Sequence, residues 1–363
     1  MPPSPTDLPR PTIAARSAGD SESPAGAAHL QDMNLSVRSP EELVVAIPHL
    51  LGFNPNESLV LVPLGPELPV VRVDLPTSAR EREQAWDSIG DVYARCAQPT
   101  SRVAIVTFTT DTDYGDRLSQ DFALRLDGVG VTSPIRLGAS DTAWIDFDSQ
   151  ISGPLSTATR DRIAASTVLN GMAQPAASRT SLADSLVGDR QPIADHLADA
   201  HAQAATSSIR AEATFARRHL RAFHADGRRL TDPAAARFLV ALESTSVRDR
   251  LWDDISAHTA ASHIALWSDL TRRAPDSLRA APASLLAFAS WLKGNGALAW
   301  CALEQVPRDK PYDAARLVAA VVQKGVHPRQ WAALTTTALD VSQRIEALSA
   351  TPRTQPGPPA PGI

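Results

Sequence analysis

The sequence contains few of the features that mark secreted, disulfide-bonded or membrane proteins. Its two cysteines, Cys96 and Cys301, lie far apart in apolar helical contexts, which predicts two buried free thiols in a reducing compartment. The N-terminus has no basic segment followed by an apolar one, so no signal peptide is predicted. No apolar run approaches the roughly 18 residues of a membrane-spanning helix. We therefore expect a cytoplasmic protein without a membrane partner.

Common catalytic signatures are also missing. The chain contains no G-x-S-x-G elbow, Walker A loop, G-x-G-x-x-G after a strand, H-E-x-x-H or C-x-x-C. These absences exclude the hydrolases, P-loop enzymes, dinucleotide-binding enzymes and zinc proteases that carry such motifs. They leave room for an unfamiliar enzyme, but they favour a non-catalytic protein and indicate no cofactor.

Histidine spacing gives no indication of a metal site. The pairs His196/His201, His219/His224 and His258/His263 are each separated by five positions. On one straight helix this spacing turns the two side chains about 140° apart, so they cannot hold one ion together. We predict no metal.

The charge balance argues against nucleic acid as the main partner. The net charge is −5 and the pI is near 6.0, whereas nucleic-acid binding needs a positive surface. Residues 208–230 carry six arginines against two acids, with Arg217 and Arg221 on one helix face. A solvated helix face is the favoured interpretation. Nucleic-acid binding through this helix is kept as a second alternative function.

The pattern of apolar residues divides the 363 residues into two folded parts and two tails. Residues 1–36 and 349–363 are rich in Pro, Ser, Ala and Gly and are predicted to be disordered. Residues 37–154 alternate short apolar runs with helical spacing, which predicts an α/β domain with a mixed, partly parallel sheet and flanking helices. Within it, Ser39, Pro40 and Gly52 predict the bounds of the first helix.

Residues 155–348 show helical spacing only, and we predict an all-α bundle there. One long helix is expected over 247–271. The segments GALAWCALEQV and YDAARLVAAVVQKGVHP resemble a TPR-type helix hairpin in their alternation of small and large residues.

Polar residues at the ends of the predicted strands are the candidate ligand site of the α/β domain. The stretch LLGFNPNESLVLVPL forms a helix-to-strand joint in which two polar residues precede the apolar strand. These two residues, Glu57 and Ser58, lie at the amino end of their strand, away from the carboxyl ends where parallel sheets bind ligands, so a structural joint is the favoured interpretation for them. Asp111 and Asp113 follow the strand 102–108, and their alternative role is to stabilise the N-terminus of the next helix. The candidates are Glu57, Ser58, Arg72, Asp74, Asp111 and Asp113.

The helical half contains a second set of candidates around its tryptophans. WLKGNGALAW places Gly-Asn-Gly between two tryptophans, and a tight helix–helix turn with the rings in the core is the favoured interpretation. A ligand groove or interaction surface lined by aromatic residues is the alternative. The candidates for it are Arg248, Trp252, Trp291, Asn295 and Trp300.

Several segments spread over about residues 37–333 carry a family resemblance. They are LLGFNPNESLVLVPL with VRVDLP, then SVRDRLWDD, LWSDLTRRAP, LLAFASWLKGNGALAWCALEQV and YDAARLVAAVVQKGVHPRQW. Together they resemble the actinobacterial domain-of-unknown-function 4192 family. The middle departs from the family pattern, because AWIDFDSQISGPLS has Trp144 but no cysteine. In the family, the segment with this tryptophan is commonly followed by a stretch that contains cysteines. Because this chain has none there, no metal or redox role of those cysteines is carried over to it. The resemblance implies an actinobacterial, cytoplasmic protein of α/β plus helical build and no assigned activity.

These observations favour a non-catalytic interaction or regulatory module whose partner is a protein. The first alternative is an enzyme or small-ligand binder with its site on the rim of the α/β sheet.

Overall fold

A computed structural model describes residues 28–30, 35–65, 68–170, 173–308, 311–328 and 331. The predicted tail 1–36 lies outside these residues except at two short strands, and the predicted tail 349–363 lies outside them entirely. The strands are β1 (Ala28–Leu30), β2 (Leu35–Val37), β3 (Ser58–Pro63), β4 (Val71–Asp74), β5 (Arg102–Phe108), β6 (Thr132–Ala139), β7 (Ala143–Asp146) and β8 (Ser152–Pro154).

The helices of the first half flank the sheet, and those of the second half follow one another without strands. They are α1 (Pro40–Leu51), α2 (Ala79–Cys96), α3 (Thr112–Gly128), α4 (Thr157–Leu169), α5 (Arg179–Asp184), α6 (Gln191–Ala194), α7 (Leu197–Ala205), α8 (Ile209–Asp226), α9 (Asp232–Ala241), α10 (Thr245–Trp252), α11 (Ala260–Arg273), α12 (Ala280–Leu292), α13 (Gly296–Leu303) and α14 (Asp313–Gln323). None of these described helices combines the length and apolar character that crossing a bilayer needs.

The main sheet is mixed, as predicted. Its six strands lie in the order β4-β3-β5-β6-β7-β8. β5 and β6 are parallel, whereas the other neighbouring pairs are antiparallel. β1 and β2 form a separate antiparallel pair. The consequence for the site is that β3 starts at the edge of the sheet where β4, β5 and β6 end.

Alternation along the strands builds one core on each side of the sheet, because successive side chains point to opposite faces. Val60 and Val106 pack with α1 on one face, and Leu59 and Ile105 pack toward α2 and α3 on the other. β3 and β5 are buried along almost their whole length. This explains why their sequences read as continuous apolar runs.

The first helix begins and ends where its sequence predicts. The Ser39 hydroxyl accepts a hydrogen bond from the backbone N–H of Glu42 at 3.2 Å. Gly52 ends the helix in the left-handed conformation with φ 78°, and its N–H donates to the carbonyl of Pro48. These signals are local, so they can be read from the sequence.

The second half packs around α12, whose residues are nearly all buried. Its core contains Phe238, Trp267 and Phe288.

The prediction of a single helix over 247–271 is wrong, because α10 ends at Trp252 and α11 begins at Ala260. Side chains form the intervening turn: Thr259 Oγ1 donates to the carbonyl of Asp254 at 2.9 Å and accepts from the N–H of Ser256 at 2.9 Å. Such local bonds compete with helix formation.

The two halves meet at the end of α1. Residue 53 makes a parallel bridge to Ala176, in which the Asn54 N–H donates to the Ala176 carbonyl at 2.9 Å. The Asn295 side chain, which caps α13, lies 3.2 Å from where a Cβ on Gly52 would stand. Leu182 packs against the cores of both halves. Two stretches that carry the family resemblance are therefore in direct contact.

Candidate functional site

The antiparallel direction of β3 brings the rim candidates to one edge of the sheet. Ser58 is paired with Asp74 on one side and with Phe108, the last residue of β5, on the other. The expectation that Glu57 and Ser58 lie away from the carboxyl ends was therefore wrong. It rested on the assumption that β3 runs parallel to its neighbours.

Ser58, Arg72 and Asp74 form a closed hydrogen-bonded group. Nε and Nη2 of Arg72 donate to Ser58 Oγ at 2.9 and 2.7 Å, and that hydroxyl donates to the carbonyl of Asn56 at 2.7 Å. Nη1 of Arg72 lies 2.6 Å from Asp74 Oδ1. The guanidinium also lies 5.8 Å from the centre of the Phe53 ring. The polar atoms of this group mainly satisfy one another, although the Asp74 side chain is 90% exposed.

Glu57 and Asp111 are joined through Thr109. The Thr109 hydroxyl donates to Glu57 Oε2 at 3.1 Å and accepts from the Asp111 N–H at 3.2 Å. Asp111 caps α3 by accepting from the N–H of Tyr114 at 2.9 Å, and Asp113 is exposed in the first turn. Glu57 has φ 39°, a left-handed backbone conformation that is costly for a residue with a side chain. Participation of the six rim residues in a ligand site stays a prediction.

A groove runs along the outer side of β4. It has a volume of about 530 Å³ and lies between the strand and one face of α2. Within the described residues no strand pairs with this side of β4. The lining residues are Arg72, Val73, Asp74, Leu75, Pro76, Glu81, Gln84, Ala85 and Ser88. The last four follow the i, i+3, i+4, i+7 spacing of one helix face.

The register shows which backbone groups face the groove. The Leu75 N–H donates to the Glu57 carbonyl at 2.8 Å, so residues 57 and 75 form a hydrogen-bonded pair. In an antiparallel ladder such pairs alternate with pairs whose N–H and C=O groups point away from each other. Val73 therefore bonds to β3, whereas the N–H and C=O groups of Arg72 and Asp74 point into the groove.

The tryptophan candidates of the second half differ in their exposure and contacts. Trp252 stacks on Phe288 with 4.2 Å between ring centres. The ring of Trp291 is buried, and its Nε1 donates to the carbonyl of Val326 at 3.0 Å. Trp300 is 36% exposed.

The two remaining candidates of this set are held by local contacts. Arg248 bonds to Asp249 and lies over the Tyr312 ring, 5.4 Å from its centre. Asn295 caps α13 at the contact between the halves. An interaction role for the five residues of the set stays a prediction.

One cluster of possible metal ligands was missed by the sequence analysis. His224 near the end of α8, Asp254 in the turn after α10 and His263 in α11 converge, with ligand atoms all within 4.8 Å of one another. Burial, with the neighbouring His224, lowers the pKa of His263 to about 4, while Asp254 opposes the shift. His263 is therefore neutral at pH 7. The three residues come from three elements, so spacing along one helix could not indicate them.

Comparison with known proteins gives one match. A family model described as a domain of unknown function (DUF4192) matches residues 40–329. No curated protein matches the chain. No solved structure matches it either.

Proposed function

We propose that this chain, which belongs to the DUF4192 family, is a non-catalytic protein-interaction module that binds an extended peptide between β4 and α2. The observation that supports it is the pair of outward-facing backbone segments at Arg72 and Asp74, beside one face of a helix. An extended segment of a partner protein can add to such an edge as a further strand, with its backbone bonded to β4. The face of α2 then contacts alternate side chains of that segment.

The chemistry of the rim supports binding rather than catalysis. Each of the three guanidinium nitrogens of Arg72 contacts Ser58 or Asp74, so the side chain acts as a strut that holds β4 on β3. A general acid or base needs a free atom within hydrogen-bond reach of a substrate. Ser58 and Arg72 are engaged in these bonds, which leaves the exposed Asp74 carboxylate as the polar side chain of this group that can contact a partner.

Charge on the groove specifies the peptide further. Asp74 is exposed, and Glu81 also lines the groove. The one cationic side chain there, Arg72, is already paired with Asp74. The groove therefore favours a peptide that carries basic side chains.

A proline substitution tests the proposal, because the Asp74 N–H points away from β3. D74P removes this outward donor and leaves the β3 ladder intact, as edge strands tolerate proline there. Peptides would be selected from a displayed library of random sequences, and their Kd measured by fluorescence anisotropy. Loss of one backbone bond, about 1.4 kcal/mol, corresponds to roughly tenfold weaker binding.

The matched control is D74N, which loses the charge and keeps the N–H. Binding weakened by D74P and retained in large part by D74N supports a backbone-bonded peptide. Equal binding of the wild type and D74P would refute it. Failure of an acidic peptide to compete, while a basic one does, tests the charge argument separately.

Three finer statements from the sequence remain part of this proposal. Helices α13 and α14 would form a TPR-like hairpin, on the basis of their alternation of small and large residues. The family resemblance supports an actinobacterial source, and the two free thiols support a reducing, cytoplasmic location.

A further inference from the structure

The His224, Asp254 and His263 cluster has the geometry of an ion site. Asp254 Oδ2 lies 3.4 Å from Nε2 of His263 and 3.6 Å from Nε2 of His224. Ligands about 2.0–2.1 Å from a tetrahedral Zn²⁺ ion are about 3.3–3.4 Å from one another. Both distances to the carboxylate are close to this spacing, and the ligand atoms of the three residues all lie within 4.8 Å of one another.

Within the described residues, Asp254 is the charged neighbour of the two imidazole nitrogens, but neither nitrogen makes a hydrogen bond. Nε2 of His224 and Nε2 of His263 are buried and make no hydrogen bond, even though the carboxylate is near. His263 is completely buried. Buried polar atoms without a partner are uncommon in folded proteins, and an unseen ion is one of the accepted reasons for them. From these two observations we propose that His224, Asp254 and His263 bind a divalent transition-metal ion of the zinc type.

The second nitrogen of each ring determines how the site is loaded. Ser262 Oγ contacts Nδ1 of His224, and a hydroxyl can accept from an Nδ1–H, which leaves Nε2 free to bind the ion. Nδ1 of His263 instead accepts from Trp267 Nε1 at 3.1 Å. Without an ion, His263 therefore carries its proton on Nε2. On loading, the ion takes the place of the proton on Nε2 and a proton moves to Nδ1, so His263 stays neutral. Nδ1 is then a donor, and the bond from the Trp267 N–H must break.

The donor set selects the class of ion. Two imidazoles and one carboxylate suit Zn²⁺ and its neighbours among transition metals rather than Mg²⁺ or Ca²⁺, which prefer oxygen ligands. Three protein ligands leave one position open on a tetrahedral ion. The ligands come from α8, from α11 and from the turn between α10 and α11, so a bound ion would join three elements of the helical half.

The test uses the full-length chain, stripped with a chelator and titrated with Zn²⁺ alone. Isothermal titration calorimetry should show one equivalent bound to the wild type. Because Asp254 is partly exposed, D254N should fold, and we expect its affinity to fall by at least about 100-fold. D253N and H258Q change exposed neighbours outside the cluster and should bind like the wild type.

A Trp267 variant separates an ion site from a purely structural cluster. W267F removes the donor that opposes loading, so Zn²⁺ should bind several-fold more tightly, and wild-type tryptophan fluorescence should change on loading. Absence of saturable binding to the wild type would overturn the proposal. So would binding that D254N retains, or that H258Q abolishes. Circular dichroism of each variant confirms that it is folded.

Discussion

Replacing Ser58 tests whether Arg72 is a strut of the sheet or is available to a ligand. Ser58 is fully buried, and its hydroxyl accepts two N–H groups of Arg72 at 2.9 and 2.7 Å. Hydrogen bonds to a charged group contribute about 1.5–3 kcal/mol each when one partner is removed. The Arg72 side chain is 17% exposed, so water replaces part of the loss. We expect S58A to lower the free energy of unfolding by about 2 kcal/mol.

Replacing the other partner, Arg72, should lower the free energy of unfolding by less. R72M leaves Ser58 Oγ bonded to the carbonyl of Asn56, and it frees an Asp74 carboxylate that is already in water. The salt bridge lost with it is exposed on one side and contributes little. We expect a loss of about 1 kcal/mol for R72M, and about 1.5 kcal/mol of coupling between the two positions.

Urea denaturation of the wild type, both single variants and the double variant, followed by circular dichroism, measures this coupling. S88A is the control, because Ser88 is an exposed serine on α2 and its loss should change stability by less than about 0.5 kcal/mol. The dependence of the free energy on urea should be the same in all variants. Additive effects, with coupling below about 0.3 kcal/mol, would refute the strut and leave Arg72 free for a ligand.

Two further predictions concern α1. Burial lowers the pKa of His49 in the folded protein, so as the pH falls the unfolded chain takes up a proton first. The contribution of neutral His49 to the free energy of unfolding is therefore fully present above pH 6.5. It decreases below that pH by at most about 1.4 kcal/mol per pH unit. Urea midpoints at several pH values should show this slope, and H49Q should reduce it; an unchanged slope in H49Q would contradict the assignment. G52A should cost about 1–2 kcal/mol for its left-handed backbone, plus the displacement of Asn295. G227A has the same backbone penalty without a close neighbour, so equal losses would show that the contact with Asn295 contributes nothing.

The sequence predicted features that depend on neighbouring residues. Ser39 and Gly52 fix the ends of α1, and the buried run 102–108 forms β5, because caps and strand runs are local signals. The mixed sheet and the change to helices after it followed from the same patterns.

Features that depend on distant contacts could not be predicted. The direction of β3 is set by its neighbours, so the sequence misplaced Glu57 and Ser58 relative to the carboxyl ends of the other strands. The His224 and Asp254 contact depends on a turn inside a predicted continuous helix. The spacing of residues along the chain does not indicate either arrangement.

Amide hydrogen exchange at β4 tests the proposed peptide groove most directly. The Asp74 N–H faces the groove, whereas the Val73 N–H is bonded within the sheet to β3. Exchange measured by NMR, with and without a selected basic peptide, should slow strongly at Asp74 and at Arg72 and stay nearly unchanged at Val73. If a peptide binds while exchange at Asp74 is unaffected, the partner binds elsewhere and the proposed edge is wrong.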